Sequence, residues 1–124
     1  MRILLLVGLI AFYCFAFAED KIPLDIEAAK YQKLSVCMYV GDIASAVQEI
    51  RHDGDTEAMF ESRAPKLLKA DGQPEWKINK AMAIGRDVYH NIPVKTSRTD
   101  TFVIYYTDCI NNYENMVTEN DLRM

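Results

Sequence analysis

Histidine, tryptophan and cysteine are scarce in this 124-residue chain, with two, one and three copies. No two cysteines lie close together, and neither histidine sits beside one, so the spacing of a structural zinc site is missing. There is no Gly-x-Ser-x-Gly nucleophile turn and no glycine-rich phosphate loop among the five glycines. Glu75, Glu114 and Glu119 are scattered, without a partner carboxylate at a spacing that suits acid–base work. There is also no repeat, no low-complexity tract and no inter-domain linker. Runs of basic charge are absent. Lys66, Lys69, Lys77 and Lys80 come nearest to a group, and acids and apolar residues separate them. With a net charge of −4, this argues against nucleic acid and anionic membrane surfaces as partners. The composition therefore points to no cofactor, no metal and no catalytic constellation.

One long apolar run is present, and it lies at the start. Arg2 precedes Ile3 to Phe17, and the run closes on Ala16-Phe17-Ala18 ahead of Glu19-Asp20. A basic start, a short apolar core and small residues at the −3 and −1 positions predict a secretory signal peptide over 1–18, cleaved after Ala18. A permanent membrane helix calls for about 20 apolar residues, which this run does not reach. Acylation at Cys14 is disfavoured by the aromatics Phe12 and Tyr13 before it. Residues 19–124 would then form one domain, periplasmic or secreted, with no stable membrane span. Removing Arg2 and no acid takes the net charge from −4 to −5. Cys37 and Cys109 would be the two cysteines left, and an oxidising compartment makes a disulfide between them the expectation.

Residues 19–24 read as a short leader to the fold, and helical periodicity begins at Asp25. Val36, Val40, Ile43, Val47 and Ile50 recur at intervals of three and four, with Cys37 and Ala44 beside them. Gly54 is the natural stop. Gly41 inside this helix predicts close approach of a neighbouring element. A second helix is expected behind a cap at Asp53 or Asp55. Met59, Phe60, Ala64, Leu67 and Leu68 would face inward, with a kink or break at Pro65 and an end at Gly72. A third follows from a first turn at Pro74, with Ile78, Ala81, Met82, Gly85, Val88 and Tyr89 inward and Asn91 and Pro93 as its stop. Ser97, three residues before Asp100, gives an approximate capping box for a fourth. That last helix would bear Phe102, Tyr105, Tyr106, Cys109, Ile110, Tyr113, Met116 and Val117, with a fraying tail from Thr118. Strand-favouring residues over Thr101–Tyr106 make a strand the alternative there. The expected fold is all-α, a small four-helix bundle-like domain with Cys37–Cys109 joining its first and last helices.

Arg51-His52-Asp53-Gly54-Asp55 is the most polar stretch. It admits a small hydrolase reading through His52, a calcium reading through Asp53, Asp55 and Glu57, and a plain helix end favourable to a basic side chain. The helix end is the simplest of the three. Tyr105 and Tyr106 cannot both point inward, so one of them is expected at a rim suited to a partner. Met38, Met59 and Met82 would fill the core or line an adaptable groove. Arg51, His52, Asp53, Tyr105 and Tyr106 are thus the candidate binding residues. The layout of Cys37, Ile50-Arg51, Gly54, Val88-Tyr89 and Cys109 resembles small uncharacterised exported bacterial proteins with a cysteine near each end of the mature domain. That resemblance implies a helical envelope protein and carries no activity. The overall reading is a non-enzymatic binding or inhibitory module acting on another envelope or extracellular protein. The alternatives are a periplasmic stress chaperone, on a looser similarity of layout to small acid-stress chaperones, and the His52 hydrolase.

Overall fold

A computed structural model describes residues 2–113, with side chains from residue 27 onward. The leader over 1–18, its cleavage point, Met116, Val117 and the tail from Thr118 lie outside the residues whose side chains are described. The described residues form four helices and no strand: α1 (Arg2–His52), α2 (Glu57–Ala70), α3 (Glu75–Asn91) and α4 (Arg98–Asn111). The chain divides into two units, Met1–Lys33 and Leu34–Met124. In the first, the described backbone is helical throughout. Residues 19–24, expected as a non-helical leader, are therefore part of α1. The apolar run before them is rich in helix-forming Leu and Ala and carries the helical backbone forward.

The second unit is a four-helix, up-down-up-down arrangement. Glu57 pairs with His90 and Glu61 with Arg86, which sets α2 antiparallel to α3. The Lys77 ammonium stands 5.0 Å from the centre of the Tyr39 ring, while Arg51 reaches Val88 and Ile92. Hence α3 runs parallel to α1. The Cys37–Cys109 disulfide, with a Cα–Cα distance of 5.4 Å, brings α4 back down beside α1. The all-α bundle and its staple are as the sequence leads one to expect, and Thr101–Tyr106 is helix. A sustained period of three and four there outweighs β propensity.

The helix ends follow from local chemistry. Gly54, at φ 104°, and Gly72, at φ 80°, occupy the left-handed region that only glycine enters at no steric cost. Each closes a Schellman turn. Gly54 and Asp55 donate backward to the carbonyls of Arg51 and Ile50, and Gly72 and Gln73 to those of Lys69 and Leu68. Thr56, rather than Asp53 or Asp55, caps α2, its hydroxyl accepting from the Met59 N–H at 3.2 Å. The turn at Gly54 uses up Asp53 and Asp55 as its own outer residues, so the next residue becomes the cap. Pro74 is the N-cap of α3 rather than a residue of its first turn. Ser97 caps α4, accepting from the Asp100 N–H at 3.0 Å.

Pro65 neither breaks nor splits α2, which runs unbroken from Glu57 to Ala70. Phe60 and the Glu61–Arg86 pair hold the segment before the proline, and Ala64 holds the turn containing it. Tertiary contact outweighs a local cost of about 3 kcal/mol. Leu67, expected inside, is 69 % exposed, because α2 presents Ala64 and Leu68 to α3 and turns Leu67 to its flank.

Two apolar clusters form the core. Ala44, Val47, Phe60, Met82 and Val88 are the buried members of one, from α1, α2 and α3, with Tyr105 of α4 half-buried at its edge. Cys37, Val40 and Cys109 are the other, centred on the disulfide. Two glycines set the helix spacing. A methyl at Gly41 would come within 2.7 Å of the Phe102 ring, so α1 and α4 meet there as closely as the backbone allows. A methyl at Gly85 would overlap the Phe60 ring. The first was signalled by a glycine in mid-helix, and the second explains how α2 seats on α3.

Candidate functional site

The last two turns of α1 place Gln48, Arg51 and His52 against the end of α3 and the connection over 92–97. Gln48 is 0 % exposed. Its side-chain Nε2 donates toward the carbonyls of Thr96 at 2.8 Å, Pro93 at 3.1 Å and Val94 at 3.3 Å. Its Oε1 accepts from Arg51 Nη1 at 3.3 Å. The same Nη1 donates to Ile92 O at 2.6 Å and reaches Val88 O at 3.4 Å. These carbonyls lie at the end of α3, where Val88 O also accepts the Ile92 N–H and the helix dipole is negative. A guanidinium suits that end in charge and in donor count. The Arg51 guanidinium also stands 5.3 Å from the centre of the Tyr89 ring.

His52 takes part in the same arrangement. Its Nε2 lies 2.6 Å from Val94 O. A carbonyl only accepts, so His52 carries a proton on Nε2. The approach of Gln48 Nε2 at 3.4 Å is then a contact between two donors rather than a hydrogen bond. Asp53 is exposed and belongs to the Gly54 turn. The polar corner thus brings Arg51 and His52 together and leaves Asp53 aside. Among the described residues no group of three His, Cys, Asp or Glu side chains could hold a metal ion. Gln48 is the central residue here, and the sequence reading passed over it.

The tyrosines part company. Tyr105 is half-buried and its hydroxyl donates to Asp87. Burial, then that hydrogen bond beside a carboxylate, pushes its phenol far above the ordinary tyrosine range. Tyr89 donates to Asp55 O at 2.8 Å, and burial, followed by the Asp55 charge, raises it too. Tyr106 instead stacks on Phe102, with ring centres 5.6 Å apart. Phe102 lies over Gly41. Leu34, Met38 and Gly41 fall at intervals of four and three on α1, on one face. Leu34 is 46 % and Met38 50 % exposed, so Met38 is a surface residue and not core. Val103, Tyr106 and Ile110 fall at three and four on α4, and Val103 is 51 % exposed. An apolar seam therefore flanks the disulfide on both helices. Met38, read as core filler or groove lining, and Val103, outside the apolar stripe read for the last helix, are contact candidates that the sequence did not single out. No protein family model, no curated protein and no solved structure matches this chain.

Proposed function

We propose that the domain is an exported, non-enzymatic binding or inhibitory module, acting through this seam on another envelope or extracellular protein. The carrying observation is the exposure of Leu34 and Met38 on α1 and of Val103 on α4, the two helices that the disulfide joins, with the Phe102–Tyr106 stack on α4. Apolar and aromatic side chains at a rim are the composition of a protein contact. Two further features support the reading. Arg51 and His52, the side chains most suited to chemistry, are engaged with backbone carbonyls of the same domain. The disulfide suits an oxidising compartment, in keeping with the expected leader. Among the described residues, no helix is long and apolar enough to cross a membrane.

A photo-crosslinking residue placed at Met38 or Val103, in the native host, tests the reading. Discrete adducts at both positions, absent from a Lys95 control and lost when Met38→Glu is combined with the Val103 probe, are the expected result. Adducts identical at all three positions, or none at Met38 and Val103, reject it.

A further inference from the structure

We infer that α4 is a redox-releasable element: reducing Cys37–Cys109 frees it from its C-terminal end while α1, α2 and α3 stay folded. The inference rests on how the core is partitioned and not on the proposed binding surface. The larger buried cluster, Ala44, Val47, Phe60, Met82 and Val88, draws on α1 to α3 and takes no buried residue from α4. The buried residues of α4 are Thr101 and Cys109. Thr101 spends its hydroxyl on Ser97 O, one turn back in its own helix. Cys109 shares its cluster with buried Cys37 and Val40 of α1, with half-buried Ile84 of α3 and the tyrosines of α4 packed around it. Tyr105 reaches the edge of the larger cluster half-buried, and Phe102 covers Gly41. The buried apolar attachment of α4 is thus the disulfide cluster itself.

The two ends of α4 are fastened differently. Before its first residue, the connection over 92–97 is gripped by Gln48 and Arg51, and Arg98 pairs with Glu49 at 2.6 Å. None of these bonds involves sulfur, so the N-terminal end stays attached after reduction. The far end loses its covalent tie and keeps only half-buried Tyr105, with its hydrogen bond to Asp87, as a hold on α3, and the helix pivots about Thr96–Ser97. Both cysteines are buried, so reduction waits on a local fluctuation that exposes the bond, and release of α4 follows it. A dithiol of the thioredoxin class is the co-reactant. One of its thiolates attacks a cysteine sulfur, breaks the S–S bond and forms a mixed disulfide. Its second thiol resolves that, leaving two protein thiols and one oxidised dithiol, with two electrons and two protons transferred.

Hydrogen exchange of the folded chain, oxidised and then reduced with excess dithiothreitol, tests this. The expected result is a loss of protection of about 100-fold or more in 101–111, with 43–52 and 57–91 changing by less than about threefold. Loss of protection throughout the domain, or unchanged protection in α4, overturns the inference. The doubly substituted Cys37→Ala, Cys109→Ala chain repeats the test without reductant. It is expected to show the reduced pattern, and failure of its α1–α3 core to fold counts against the inference equally.

Discussion

Gln48 is the residue on which the upper corner of the bundle turns. A glutamine in a helix ordinarily faces water, and here it is wholly enclosed with its amide shared among three carbonyls. Gln48→Ala removes those donors and opens a void, and is expected to cost about 2 kcal/mol in urea unfolding. Arg51→Lys keeps the charge and loses the planar fork, so it should recover only part of what Arg51→Ala loses. Tyrosine ionisation gives a second test. Tyr105 and Tyr89 are held neutral in the fold by burial, so their folded pKa values lie above the unfolded one. Their stabilisation is complete below about pH 10 and declines as pH rises further, since the unfolded chain ionises first. Urea midpoints should fall as pH rises above about 10, and less steeply in Tyr105→Phe. These residues were the least legible in the sequence. The partners of Gln48 lie 45 to 48 positions away, and nothing local marks them. His52 and Arg51 were singled out for their chemistry, yet what they meet is backbone.

At the level of single elements, caps and stops were mostly readable because they depend on neighbouring residues. Gly54, Gly72 and Ser97 do what their positions suggest. Thr56 was missed because three candidate caps stand in a row, and only the Schellman turn at Gly54 shows which remains free. Thr56→Ala and Ser97→Ala are each expected to lower stability by about 1 kcal/mol, measured by thermal or urea unfolding. Asp55→Ala, which leaves the cap in place, should cost less than Thr56→Ala. Pro65 illustrates the limit of local reasoning. Its effect on α2 is overruled by Phe60 and Glu61, which grip α3 from the preceding turn. Seating of that helix pair depends on Gly85. Gly85→Ala would force the Phe60 ring aside, at an expected cost of about 2 kcal/mol.

Across the whole molecule, the sequence carried the architecture further than it carried the site. Four apolar stripes with one cysteine on the first and one on the last leave few ways to fold, and the bundle follows. The seam around Met38 and Val103 was not separable, because inward and rim residues on a helix differ by a fraction of a turn. The disulfide closes a separation of 72 residues. Its removal is expected to take about 4 kcal/mol from the attachment of α4, read in the doubly substituted Cys37→Ala, Cys109→Ala chain as an unfolding step of α4 ahead of α1–α3. For a domain of this size that is a large share of the total.

The same long separation has a consequence during synthesis. Cys37 leaves the ribosome well before Cys109 exists, and its helix forms beside an empty place that only the last helix fills. Until then its thiol is open to any passing electrophile or oxidant. The period of greatest chemical vulnerability for this protein is therefore its birth, and only closure of the bond ends it.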